Sequence, residues 1–444
     1  MKQNRGQFSS GYGFVLAAAG SAVGLGNIWS FPSQAANNGG GAFVLVYLIM
    51  AFALAFPLLI AEMTVGRYSQ ANPVRAYPGL VSNSILKRVA TSTGILAVVT
   101  ASAILGFYSI VGGWLIKYTA IAISAESAPA VLTSDSQLVD ILFCIVFLLL
   151  TAAIILRGVV NGIEKWTTRL MPCLLAIMVL LTIYLATQEG ASQGFRSYLI
   201  PDFSQMNDVD LWLSAMGQAF FSLSLGVGTM LIYGSYLSSK ESLPRLAGAV
   251  TLMDVGVAVL AGMLIVPAIF VAQQQGLEVY RADGQLIDGD GLVFNVLPAL
   301  FKSLGDWGWV VSAAFFLLLT MAALTSSISM LEVPVSFLHE TCRLSRAKAN
   351  AICFVCIGSF SIIILLHFNI LFSLIVSLST QYAQPILGLL LAIFVGWLWS
   401  RDQLLNEIVR GAPNLSDTLF LRVWPYYVRF ICPAAVIFVF AQQV

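Results

Sequence analysis

Residues 20–32 read GSAVGLGNIWSFP, inside an apolar stretch that opens near Gly11. An uninterrupted helix would not choose this run, because each interior Gly costs about 1 kcal/mol. Residues 219–230, AFFSLSLGVGTM, carry the same feature in a later apolar stretch. Unwinding there strips carbonyls and amides of their partners. In hydrocarbon each such group costs several kcal/mol unless it lines a cavity or a ligand, and a polar ligand is the natural partner. Close helix packing is the competing explanation for glycines in a membrane, and it explains one such stretch more readily than two at matching positions.

That the surroundings are hydrocarbon follows from composition. Hydrophobic residues make up 59% of the 444 and charged residues 10%, whereas soluble domains run near half apolar and a quarter charged. A spanning helix needs about 20 apolar residues. Eleven stretches qualify, at about 11–36, 41–66, 89–124, 137–156, 165–187, 211–238, 243–273, 308–338, 347–366, 370–399 and 421–441. The first is too long and too interrupted for a signal peptide.

Lys and Arg accumulate on the cytoplasmic side of membrane proteins. With the N-terminus inside, all but Lys117, Arg196, Arg281 and Lys302 of the 22 fall in cytoplasmic loops, while Asp202, Asp208, Asp210, Asp283, Asp288 and Asp290 fall outside. The expected location is therefore the inner (cytoplasmic) membrane, multi-pass, N-terminus cytoplasmic and C-terminus periplasmic. The long outer loop, residues 274–307, is expected to be part helical and lid-like.

The net charge of +1 gives no basic footprint for nucleic acid. The six cysteines lie almost entirely in apolar runs and read as packing residues, including the CxxC of Cys353 and Cys356. An intramembrane enzyme is the rival class, but there is no HExxH, no paired Ser and His, and only His339 and His367 in the chain. No catalytic residue is expected.

Interrupted segments at the first and sixth of ten spans suit five spans followed by five of opposite topology, with the binding site between the two breaks. The domain is read as one transporter unit over 1–444, with repeat one at about 11–187, repeat two at about 211–399 and an accessory span at about 421–441.

Residues 21–43, SAVGLGNIWSFPSQAANNGGGAF, then PLLIAEMTVGRY (57–68), GQAFFSLSLGVG (217–228) and LTSSIS (324–329) resemble the neurotransmitter:sodium symporter family, bacterial LeuT-type branch. The resemblance covers most of the chain in order. It implies an all-α membrane protein of the LeuT-type 5+5 inverted-repeat fold with discontinuous spans 1 and 6, here with 11 transmembrane helices where many members have twelve. It also implies sodium-coupled amino-acid transport by alternating access.

The resemblance implies two sodium sites. The first would use the Ala22 carbonyl, Asn27, Ser222, Asp254 and the substrate carboxylate. The second would use the carbonyls of Gly20, Val23 and Ala322 with the hydroxyls of Thr325 and Ser326. A hard cation suits such oxygen sets. Asp254 stands where animal members commonly carry Asn beside a bound chloride. Since an intramembrane acid is usually functional, no chloride requirement is expected, although Tyr47, Gln218 and Ser222 of that site are retained.

By the same resemblance the substrate carboxylate would meet the amides of Leu25 and Gly26, at a helix end whose dipole favours an anion, together with Tyr108. Its ammonium would meet Ala22, Phe221 and Ser224. Gly24 occupies the place of an Asp that amine-transporting relatives use, so the substrate should bring its own carboxylate. Ile104, Phe221, Val227, Ser326 and Met330 would line an apolar side-chain pocket. The inner gate would comprise Arg5, Ser235, Tyr236, Glu332 and Glu340, with Phe8 in place of a Trp. At the outer gate Ser30 and Val376 replace the usual Arg and Asp. Glu62 is given a structural role, aimed at the unwound sixth-span backbone. No obligate protein partner is indicated. A proton-coupled carrier of the same fold and a non-transporting amino-acid sensor are the alternatives.

Overall fold

Among the described residues the apolar runs wind into helix, and at five wide turns a proline supplies the cause. The structure, a computed structural model, describes residues 6–124, 136–280, 292–415 and 418–443. The helices in chain order are α1 (Gly11–Ala22), α2 (Gly26–Asn37), α3 (Gly41–Ser69), α4 (Ser84–Ser124), α5 (Gln137–Leu156), α6 (Val159–Ala186), α7 (Val209–Ser222) and α8 (Thr229–Ser235). They continue with α9 (Leu243–Gln274), α10 (Leu292–Ser303), α11 (Gly305–Glu340), α12 (Arg346–Leu366), α13 (Phe368–Leu398), α14 (Arg401–Val409) and α15 (419–443).

Among the described residues, eight helices are long and apolar enough to cross a bilayer, or nine if the bent pair α1 and α2 is one span. The two further expected spans are differently built: 211–238 is divided between the short helices α7 and α8, and 421–441 falls within α15.

Five wide, π-helical turns end two residues before a proline: Gly26–Ser30 before Pro32, Ala51–Ala55 before Pro57, Leu292–Val296 before Pro298, Ser377–Ala383 before Pro385 and Tyr427–Ile431 before Pro433. Proline has no N–H for the carbonyl four residues back, and its ring pushes that carbonyl away. The preceding turn widens in response.

Helix ends are equally local in origin. The α3 helix stops at Gln70, which is left-handed at φ 47°. The Asn72 side chain then caps the next turn by accepting from the Val74 N–H at 3.1 Å. Ser345 caps α12 through the Lys348 N–H.

α11 packs along α4 and also beside α1 in the interior. The α10 helix, within the loop expected to be lid-like, inserts Phe294 between Trp29 of α2 and Trp114 of α4, with ring centroids 5.6 and 5.8 Å away. Residues 281–291 of that loop, and Arg5 of the expected inner gate, lie outside the described residues.

Candidate functional site

Both glycine-rich stretches are broken. Between α1 and α2 the axis bends by 56°, and Val23 is extended at φ −67°, ψ 106°. The freed groups are met by neutral side chains. The Gly24 N–H reaches Asn27 Oδ1 at 3.2 Å, the Leu25 N–H reaches Tyr108 Oη at 3.1 Å, and the Gly26 carbonyl accepts from Gln218 Nε2 at 2.8 Å.

Between α7 and α8 the gap spans residues 223–228, with left-handed Ser224 (φ 50°), Gly226 (φ 85°) and Gly228 (φ 84°). Here a carboxylate answers. Glu62 of α3, fully buried, accepts from the N–H groups of Gly226 at 2.9 Å, Gly228 at 3.1 Å and Leu231 at 3.3 Å. Gly66, one turn on, faces the Leu231 carbonyl where a Cβ would sit 2.0 Å away, so α3 and α8 meet backbone to backbone.

Two oxygen-rich clusters flank the first break. In one, Ser326 Oγ lies 3.0 Å from the Val23 carbonyl and 3.4 Å from the Gly20 carbonyl, while Thr325 Oγ1 donates to the Ala322 carbonyl at 2.9 Å. A Cβ on Gly20 would lie 3.3 Å from Thr325 Cβ. All five expected members of the second sodium site thus meet at one place, with oxygen donors only.

In the other cluster Asn27 Nδ2 donates to Asp254 Oδ1 at 2.7 Å, to the Asp254 carbonyl at 3.1 Å and to Ser222 Oγ at 2.9 Å. Ser222 in turn donates to Asp254 Oδ2 at 2.7 Å, and Tyr47 Oη lies 3.2 Å from Ser222 Oγ. Asn27, Ser222 and Asp254 are all buried, and Ala22 ends α1 nearby in sequence. Asn27 turns its amide nitrogen, not its oxygen, toward this group.

Between the breaks, Ser326 Oγ and Tyr108 Oη converge on Gly24, where a Cβ would come within 2.6 and 2.7 Å of them. Phe221, half-buried, closes over Gly26, with its ring 3.0 Å from a Cβ built there. Ile104, Ser224, Val227 and Met330 are buried.

On the inner side, Tyr236 Oη donates to Glu332 Oε1 at 2.6 Å. Arg346 of α12 holds both oxygens of Glu332, at 3.0 and 2.6 Å. Ser235 turns its hydroxyl back to the Ile232 carbonyl of its own helix, and Glu340 accepts from Asn72 N and Nδ2 at 2.8 and 2.9 Å. Phe8 packs edge-on against Tyr233 and Tyr236. By sequence Arg346 is one cytoplasmic basic residue among many; the signal that marks it is a bare carboxylate at Glu332 in a span, which demands a cation. On the outer side Ser30 Oγ donates to Gln218 Oε1 at 2.9 Å.

The sequence model of the Sodium:neurotransmitter symporter family matches residues 5–130 and 130–444. An uncharacterized sodium-dependent transporter, YhdH of Bacillus subtilis, is 34% identical over 99% of this chain and 97% of its own. The sodium- and chloride-dependent taurine transporter of Homo sapiens is 25% identical over 76% of this chain and 61% of its own. The crystal structure of MhsT in complex with L-phenylalanine superposes with a TM-score of 0.85 at 34% identity, covering 99% of this chain and 100% of that one. The fold is of the LeuT type.

Proposed function

The chain belongs to the sodium:neurotransmitter symporter family, and from that premise we propose that it carries an apolar or aromatic α-amino acid inward with sodium, by alternating access and without chloride. The family is one of sodium-dependent transporters rather than enzymes. The observation that carries the finer reading is the meeting of bare carbonyls at Gly20 and Val23 with the hydroxyls of Thr325 and Ser326. Three carbonyls and two hydroxyls, fully buried, suit a hard monovalent cation.

At the other site, sodium enters among the Ala22 carbonyl, Asn27, Ser222 and Asp254. For this the Asn27 amide turns over to present Oδ1, replacing its N–H donors to Asp254 with the ion. The Asp254 carboxylate then supplies the negative charge that chloride supplies elsewhere, so the chloride dependence of the taurine transporter does not carry over.

The amino acid lies between the breaks. Its carboxylate takes the Leu25 and Gly26 amides and the Tyr108 hydroxyl, and its ammonium takes the carbonyls of Ala22 and Phe221 and the Ser224 hydroxyl. Its side chain enters the space between Ile104, Phe221, Val227, Ser326 and Met330. That L-phenylalanine occupies the solved relative supports a large apolar side chain here.

Tyr236, Glu332 and Arg346, with Arg5, Ser235 and Glu340, form the inner gate. The aromatic contact of Phe294 with Trp29 and Trp114 takes the place of an outer ion pair at Ser30 and Val376. The N-terminus faces the cytoplasm of an inner membrane, and repeats at about 11–187 and 211–399 rock against each other around the site.

Uptake into proteoliposomes tests this. L-Phenylalanine, L-leucine or L-methionine accumulates with sodium outside, fails to accumulate with potassium, and is unaffected when gluconate replaces chloride. Uptake driven by a proton gradient without sodium would give the proton-coupled reading, and saturable binding without flux would give the sensor.

A further inference from the structure

Gln384 has no part in the ion, substrate or gate assignments above, yet it is buried and touches the second break. It opens the α-helical resumption of α13 after the wide turn Ser377–Ala383, and its Nε2 donates to the Phe220 carbonyl at 3.3 Å. In a continuous helix that carbonyl would take the N–H of Ser224. Ser224 is left-handed, and its N–H goes to the Phe221 carbonyl at 3.1 Å instead. The Phe220 carbonyl keeps only a long bond from the Leu225 N–H at 3.4 Å. It sits at the electronegative end of α7, the kind of helix end that seeks a donor.

A second contact lies one turn along the same face of α13. A Cβ on Gly226 would meet the Gly388 backbone nitrogen at 2.7 Å and the Gln384 carbonyl at 3.1 Å, and one on Gly388 would meet the Phe220 ring at 3.2 Å. The backbone of α13 therefore rests directly on the break, and the Gln384 amide fixes the register of that contact. Val376, the outer-gate position, lies about two turns earlier on the same helix.

We infer that Gln384 is a positioning residue: its amide holds the carbonyl end of α7 against α13, so that closure of α13 over the outer face sets the carbonyls of residues 220–221 for the substrate ammonium. This rests on the symport reading. The donor acts through Phe220 and touches no substrate.

Two substitutions test it in the full-length protein. Q384M keeps the length and removes the donor. Q384E donates an O–H only while its carboxyl is protonated. In sodium-driven uptake of L-phenylalanine, Q384M should raise KM about fivefold to tenfold, with kcat changed less than about twofold. Thermal stability without ligand should stay at the wild-type value. Q384E should follow the wild type at acidic pH and Q384M at alkaline pH. Hydrogen exchange over residues 220–228 should quicken in Q384M whether or not substrate is present.

An unchanged or lowered KM, a raised KM accompanied by a fall in ligand-free stability, or a pH profile of Q384E parallel to the wild type would each overturn the inference. So would unchanged exchange at 220–228. A wild-type protein that neither binds nor moves L-phenylalanine, but whose exchange at 220–228 responds to Q384M, would overturn the symport reading and leave the positioning role standing.

Discussion

The two broken segments solve one problem in opposite ways. At 223–228 the protein brings its own charge: one buried carboxylate, Glu62, takes three amide hydrogens, and Gln384 takes a carbonyl. At 23–25 the amides meet neutral partners, Asn27 and Tyr108, and among the described residues the Gly20 and Val23 carbonyls share the single hydroxyl proton of Ser326. One hydroxyl donates one proton, so those two carbonyls cannot both be satisfied by it. The second break has its amides answered by the protein's own carboxylate, while the first leaves carbonyl oxygens for the proposed sodium ion.

The largest effect expected from this contrast is at Glu62. Glu62→Gln keeps the size but turns an amide N–H2 toward backbone N–H groups, and should cost about 3 kcal/mol of ligand-free stability. A thermal melt without sodium reads this, and a melt like the wild type's would erase the distinction between the breaks. Asp254→Asn removes the one anionic side chain among the proposed ion ligands. Transport in chloride-free medium should fall at least about tenfold and recover with chloride, a difference of about 1.4 kcal/mol. Loss that chloride does not restore would mean that Asp254 does not stand in for an anion.

At the first break the effects should appear only with ligand. Thr325→Val removes one oxygen of a five-oxygen set, and should raise the half-saturating sodium concentration about fivefold while leaving the ligand-free melt unchanged. A melt lowered without sodium would make Thr325 a packing hydroxyl. The smallest effect is dynamic. Hydrogen exchange at residues 20–28 should slow when sodium and L-phenylalanine are added, whereas residues 223–231 should already be protected. Equal slowing in both would show that Glu62 does not complete its break by itself.

Much of this was legible in the residues. GSAVGLGNIWSFP and AFFSLSLGVGTM mark where helix fails, because glycine propensity and backbone desolvation are local facts. The wide turns before Pro32, Pro57, Pro298, Pro385 and Pro433 have an equally local cause. Glu62, too, announces itself: a carboxylate in an apolar run must have donors.

Partners drawn from distant chain segments were not legible. Arg346 looks like any cytoplasmic basic residue until α12 lays it against Glu332, 14 positions away and on another helix. Gln384 looks like a polar residue beside a proline until α13 crosses the second break. The contact of Phe294 with Trp29 and Trp114 joins a loop helix to two spans. Which groups are left bare follows from the order of residues alone, since helix propensity and proline sterics act over a few residues. Which side chain answers each of them depends on long-range packing, because hydrogen bonds reach about 3 Å and packing alone brings residues 164 apart in the chain, as Gln384 and Phe220 are, within reach of one another.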